Sequence, residues 1–285
     1  MSAPEPAREG MAGGEGPLRR VGRAVLDGTR ILAGREPPES RYARLRARAV
    51  RRACRRAWKR RGDWLRPGAE RAGAPPLDER VVELPWVYAR LAAGPAGGLL
   101  DVGSTLNSAF HIRLLGSRFA ALTFLNPYRD DGYRSAAPRV AYLVRDARAP
   151  GLPPGSVARI TCISTLEHIG CDNTLYGGPA REAGGVAAGR ARADAMRALR
   201  ALLAPGGSLL LTVPYGLLED RGWFVQLDRR SLDEAVAAFS PAGLEAAYFL
   251  FEAGWRAAGE AECASARYGE RTPGASAVAC LELRA

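Results

Sequence analysis

The sequence predicts an α/β fold: a mostly parallel sheet with a C-terminal antiparallel pair, preceded by a basic helical extension. Three observations predict it. Short apolar runs at 98–102, 119–125, 139–144, 158–163 and 208–213 alternate with helical patterns at 83–92, 106–115 and 186–203. Such alternation requires crossover connections and a sheet covered on both faces. Two late apolar runs, 244–251 and 277–283, have no strong helix between them, so the last pair is free to form a hairpin in a sheet of seven strands. The run at 99–102 passes directly into Gly103, Ser104, Thr105, Leu106 and Asn107, which is turn chemistry at the carboxyl end of a buried strand. Open α/β sheets hold their ligands at such ends.

Residues 1–17 are rich in Gly, Pro, Ala and Glu with few large apolar side chains, and they are expected to be disordered. Tyr42, Leu45, Ala49, Val50, Ala53, Cys54, Ala57 and Trp58 fall at three-and-four spacing with arginines on the opposite side. This is a basic amphipathic helix that stops near Gly62. The segment 66–76, with three prolines and two glycines, reads as a linker, so the domain division expected is 1–79 for tail and extension and 80–285 for the sheet domain. Residues 1–67 carry 18 Lys+Arg and 7 Asp+Glu, whereas 68–285 carry 23 of each, so the entire net charge of +11 resides in residues 1–67. Its apolar stripe must lie on something, and the sheet domain is the first choice. Nucleic acid or an anionic membrane contacting 41–61 is the less favoured partner.

The first strand and its turn read as a nucleotide-type site, with an ordinary strand-to-helix turn as the alternative. Gly103 lets backbone approach a ligand, and Asp101 is placed to accept from a cationic or hydroxylated group. After the fifth strand, Ser231 and Glu234 have capping-box spacing, which predicts a helix from there to near Phe239. Five cysteines show no C-x-x-C spacing, so neither a zinc site nor a disulfide framework is expected. No apolar stretch has the length of a membrane span, and a reduced, cytoplasmic protein is the expectation.

Four segments together resemble the class I S-adenosylmethionine-dependent methyltransferases over about residues 80–285: the run 99–107; Tyr142-Leu143-Val144-Arg145-Asp146-Ala147-Arg148; the run 160–169 with its Leu166-Glu167-His168 ending; and the Pro205-Gly206-Gly207 turn into strand five. The resemblance implies a Rossmann-like seven-stranded methyltransferase sheet with S-adenosylmethionine as cofactor. It places Asp101, Gly103, Ser104, Thr105, Asn107, Asn126, Asp146, Ala147 and Ser164 around that cofactor, with Asp146 at the adenine amino group. Finer features, among them Gly222-Trp223-Phe224-Val225-Gln226, are similar to a bacterial subgroup found beside surface-polysaccharide genes. Two positions depart from the family pattern. Thr105 stands where a second glycine is usual, and Asn126 where the ribose anchor is usually acidic. A neutral amide holds a hydroxyl less strongly than a carboxylate does.

Methyl transfer to a hydroxyl needs positioning and a base. His168 is the candidate base, since imidazole titrates near neutral pH, and Glu167 is the candidate to orient it or bind a substrate hydroxyl. A loose divalent-metal site with Asp172 is a weaker alternative, and no metal is expected. His111 reads as a cap or lining of the first domain helix. Trp86, Tyr88, Tyr128, Tyr133, Tyr176, Tyr215, Trp223 and Phe224 fall in segments that border the strand ends, and glycines make 176–189 a candidate flap. The acceptor expected is a small polar molecule, with a glycan or its precursor first. The competing readings are an RNA-binding protein or RNA methyltransferase steered by the basic helix, and a scaffold that keeps the fold without catalysis.

Overall fold

A computed structural model describes residues 41–60, 76–128, 133–178, 180 and 185–285. The expected disordered tail and most of the expected linker therefore lie outside the described residues. Helix α1 (Arg41–Arg60) is followed by α2 (Arg80–Ala93), β1 (Gly98–Val102), α3 (Ala109–Leu115), β2 (Ala121–Asn126), β3 (Val140–Val144) and β4 (Val157–Ile163). Two short 3-10 turns, Leu166–His168 and Thr174–Tyr176, lead to α4 (Gly185–Leu202) and the long β5 (Leu203–Pro214). After a small ribbon, β6 (Glu219–Asp220) and β7 (Val225–Gln226), come α5 (Arg229–Phe239), β8 (Gly243–Phe251), β9 (Trp255–Ala258), α6 (Glu260–Cys263) and β10 (Ala277–Arg284).

The main sheet has the order β3-β2-β1-β4-β5-β10-β8-β9. Strands β1 to β5 are parallel, and β10 runs antiparallel between β5 and β8. This is the expected mostly parallel α/β sheet with an antiparallel C-terminal part, and among the described residues it has eight strands, one more than expected, because β9 folds back on β8 at the edge. The late pair is antiparallel, but β9 and α6 intervene, so β8 and β10 are not joined by a simple hairpin turn.

The central strands are covered on both faces, so β1, β4 and β5 are predominantly apolar rather than alternating. On one face Leu209, Leu211 and Val213 of β5 pack with Met196, Leu199 and Leu202 of α4 and with Phe239 of α5. On the other, Leu210 of β5 packs with Leu99, Trp86, Leu91 and Phe119 under α2 and α3. Successive residues of β5 thus serve opposite cores, as the period-two geometry of a strand requires.

The apolar stripe of α1 lies on the sheet domain. Val50, Cys54 and Ala57 are buried in the same core as α2, and Trp58 meets Tyr88 edge-on at 5.8 Å between ring centroids. Arg46 pairs with Asp78 at 2.6 Å, and Asp78 N–H donates to Tyr42 Oη at 3.0 Å, which places the start of α1 beside the start of α2.

One expected helix start is corrected. The N-cap of α5 is Asp228, not Ser231: Asp228 accepts from Ser231 N–H at 2.9 Å and its own N–H donates to Ser231 Oγ at 3.0 Å. Ser231 is the third helical residue of a reciprocal box, so Glu234 lies a turn further in, paired with Arg230 at 3.0 Å. An Asp-x-x-Ser box meets the same backbone donors as the expected Ser-x-x-Glu one, and the local spacing permits both.

His111 is structural. Its Nδ1 shares a hydrogen bond of 2.7 Å with Tyr88 Oη, and burial lowers its pKa to about 4. A folded-state value below the unfolded one, near 6.5, means the unfolded chain binds the extra proton. The stability from this neutral histidine is therefore complete above about pH 6.5 and is lost as pH falls towards about 4, on the order of 3 kcal/mol in full. Buried carboxyls with raised values oppose this slope, so the difference between wild type and His111→Gln isolates it. Urea midpoints measured at pH 7 and pH 5 should fall less on acidification in the variant than in wild type, and equal falls would exclude the assignment.

Candidate active site

The strand order reverses between β1 and β4, and a cleft of about 810 Å³ opens at the carboxyl ends of β1 to β4. Ligands settle at this switch point because the loops on either side diverge and leave a crevice. Gly103, Thr105, Asn126, Asp146, Ala147, Ser164 and His168 all line it, so the tips of four strands converge there. Asp101, Ser104, Asn107 and Glu167 do not.

Asp101 corrects the reading of the first turn. Its carboxylate is buried, accepting from Leu106 N–H at 2.7 Å and Thr161 Oγ1 at 2.7 Å. Burial pushes its pKa up to about 7 against the pull of these hydrogen bonds. The residue shapes the loop from behind instead of touching a ligand. Gly103 sits at φ +87°, and a Cβ there would collide with the Thr165 side chain. That threonine hydroxyl donates to Ile163 carbonyl at 3.0 Å, and so does Thr105, the residue in place of the usual second glycine. Thr105 therefore ties the β1 loop to the end of β4. Ser104, at φ 58°, completes the turn outside the cleft, and Asn107 accepts from Tyr142 Oη at 3.2 Å.

Asn126 Oδ1 accepts from Tyr128 N–H at 3.2 Å, so its amide NH2 is the group best placed to meet a ribose hydroxyl oxygen. Asp146 is gripped by Arg148: the backbone N–H donates to Oδ1 at 2.7 Å and Nη2 to Oδ2 at 2.7 Å. Burial raises the Asp146 pKa, but the bonds and charge of Arg148 together outweigh it and hold the carboxyl below its ordinary value. The carboxylate stays charged at neutral pH and half-exposed at the cleft wall.

His168 Nδ1 lies 2.9 Å from the carbonyl oxygen of Trp223. A carbonyl oxygen only accepts, so Nδ1 carries the hydrogen and the neutral ring keeps its lone pair on Nε2. Burial lowers the His168 pKa, partly offset by the Trp223 bond, and nearby Arg80 lowers it further. The rings of Tyr176, Trp223 and Phe224 surround the imidazole at 5.3 to 5.9 Å between centroids. Glu167, expected to assist it, is turned into the protein. It is 1% exposed, burial drives its pKa well above the carboxylate range, and its Oε2 has no hydrogen-bond partner among the described residues. Asp172 serves its own loop, accepting from Thr174 N–H and Oγ1, and no group of three potential metal ligands occurs among the described residues.

Sequence reasoning missed Arg80 and Glu83. Arg80 lines the cleft and its Nη1 lies 2.7 Å from Glu83 Oε1. Glu83 is fully buried, and its Oε2 accepts from Ser164 Oγ at 2.8 Å and Thr212 Oγ1 at 2.7 Å. Burial opposes the Arg80 charge, but Glu83, Glu79 and Glu167 outweigh it and raise the pKa. The available signal was two opposite charges three apart inside the apolar pattern of α2, a spacing common on solvated helix faces as well. Of the aromatic residues, Tyr128 and Tyr176 line the cleft, Trp86, Tyr88 and Tyr215 are core, and Tyr133 is exposed. Residues 179 and 181–184 of the expected flap lie outside the described residues.

No family model and no curated protein matches the chain. Among solved structures it is similar to the (4+2) cyclase SpnF, at 17% identity over 62% of each chain with a TM-score of 0.43. It is also similar to a SAM-dependent methyltransferase of Leishmania major, at 12% identity over 69% of this chain and 68% of that one, TM-score 0.45. A third is a putative methyltransferase of Bacillus halodurans, at 10% identity over 66% and 91%, TM-score 0.42. The chain thus spans about three fifths of the cyclase's length. Likeness at this level carries no functional argument, because one fold hosts many chemistries.

Proposed function

We propose that this protein transfers a methyl group from S-adenosylmethionine to an oxygen or nitrogen of a polar acceptor, with a glycan or glycan precursor as the first class to screen. The observation that carries the reading is the cleft at the strand-order reversal, where Asn126, Asp146 and the tautomer-locked His168 face one space. The residues present fit the cofactor. A volume of about 810 Å³ lies in the range of small-molecule sites. The Asp146 carboxylate is suited to an adenine amino group, the Asn126 amide to a ribose hydroxyl, and Arg80, which lines the same cleft, would offer a cation to the ligand's carboxylate.

When bound, the cofactor supplies an electrophilic methyl carbon on a sulfonium sulfur. The chain's own residues then have two tasks. The lining holds the acceptor atom in line, which converts a bimolecular encounter into a positioned one. His168 Nε2 takes the acceptor's proton, the Trp223 carbonyl steadies the imidazolium that results, and the lowered pKa keeps the ring in its base form at neutral pH. Tyr128 and Tyr176 offer faces on which a sugar ring stacks.

Calorimetric titration with S-adenosylmethionine and with its demethylated product tests the reading, followed by an acceptor screen with labelled methyl donor. Asp146→Ala should weaken cofactor binding about tenfold, the value of one hydrogen bond to a charged acceptor. Absence of heat with either ligand, in a sample shown to be folded, would leave the fold as a scaffold without catalysis.

A further inference from the structure

We infer that α1 is a docking surface for a nucleic-acid strand, independent of methyl transfer at the cleft. The helix contains 10 Lys+Arg in 20 residues and no acidic residue. At about 100° per residue, Arg41, Arg44, Arg48, Arg52, Arg55 and Lys59 fall within an arc of about 80°. All six are exposed. Val50, Cys54 and Ala57, the buried residues of the same helix, lie on the diametrically opposite side against α2. The stripe runs about 27 Å along the helix. The first end lies at the start of α2, where Arg80 enters the cleft, and the Arg55 guanidinium stands 5.4 Å from the centre of the Phe110 ring.

An exposed cationic stripe of this length draws a polyanion through the summed field of its charges. Residues 68–285 carry equal numbers of basic and acidic side chains, so the net charge of the chain lies in the segment that contains this helix. Amphipathic helices that bind bilayers insert an apolar face, and here that face is already covered by α2. What is left to the surface is guanidinium, whose planar fork matches phosphate oxygens in pairs and is weakly hydrated. A chain of phosphodiesters, presenting one charge per nucleotide along its length, meets the stripe in charge and in extent. Release of condensed counterions then supplies the affinity.

Fluorescence anisotropy of the full chain with a labelled single-stranded RNA, titrated at several salt concentrations, tests this. Neutralising six phosphates on a single strand gives a slope of log K against log salt of about −4. The triple variant Arg48→Ala/Arg52→Ala/Lys59→Ala changes only exposed residues, so its circular dichroism and melting should match wild type, and its slope should fall to about −2. Absence of RNA binding at low salt, or an unchanged slope in the triple variant, overturns the inference. Equal affinity for phosphatidylserine vesicles or for polyglutamate overturns the assignment to nucleic acid. Because neither probe requires cofactor or turnover, failure here leaves the methyl-transfer reading untouched, and the converse holds.

Discussion

Replacing His168 by alanine should lower kcat by about a hundredfold to ten-thousandfold while leaving S-adenosylmethionine affinity within about twofold, the range for loss of a general base. The expectation follows from the Nδ1 bond to the Trp223 carbonyl, which leaves Nε2 as the only ring acceptor. The measurement is a labelled-methyl assay with the acceptor found by screening, paired with cofactor calorimetry. Wild type should also show an acidic limb. Activity needs the neutral ring, so it is lost as pH falls through the His168 value, and burial places that limb below the ordinary imidazole range. A variant that keeps its turnover, or loses cofactor affinity instead, removes His168 from the role of base.

The second large effect is expected far from the acceptor. Glu83→Ala deletes the carboxylate that pairs with Arg80 and accepts from the Ser164 and Thr212 hydroxyls. Removing one member of a buried ion pair leaves the other uncompensated, at a cost of about 3 to 5 kcal/mol. For a domain of this size that corresponds to a fall in Tm of roughly 10 °C. Glu79, whose pKa burial raises to about 7, lies close enough to act on Arg80. It is ionised above that value and takes over part of the compensation, so the loss should be larger at pH 6 than at pH 8. Thermal unfolding of wild type and variant at both pH values decides it. A loss under about 1 kcal/mol at pH 6 would mean that Glu83 is not what holds Arg80 in place.

Elements whose cause is local were legible along the chain. The apolar runs became β1 to β5, β8 and β10, and the central β1, β4 and β5 are predominantly apolar because they are covered on both faces. Helix α1 was legible for the same kind of reason, since three-and-four spacing over five turns has one helical solution. Where two local solutions satisfy the same backbone groups, the reading slipped. Asp228 and Ser231 both suit an N-cap, and only the path of the chain out of β7 selects Asp228. Strand β9 was missed because Trp255–Ala258 is too short to show a period, and it pairs only because β8 leaves an open edge.

The candidate site divides along the same line. Gly103 was identifiable from type alone, since a strand-end glycine followed by small residues marks a close approach, and its positive φ and contact with Thr165 supply the reason. Asp101 was misread because a strand-end acid faces either the ligand or the loop behind it, and the sequence does not say which. Leu106 and Thr161, five and sixty positions away, turn it inward. Glu167 and His168 are neighbours in sequence, yet the 3-10 turn points one into the protein and the other at the cleft.

Residue order and local chemistry dictated the strands, the helices, the glycine turn and the placement of the whole charge excess in residues 1–67, because each depends on neighbours within a few positions. Assembly of the chain in three dimensions decided which acid meets solvent, which nitrogen of His168 is free, that Arg80 and Glu83 belong to the cleft, and that α1 spends its apolar face on α2. Those outcomes rest on burial and on partners brought from distant positions, and desolvation acts only once they have met.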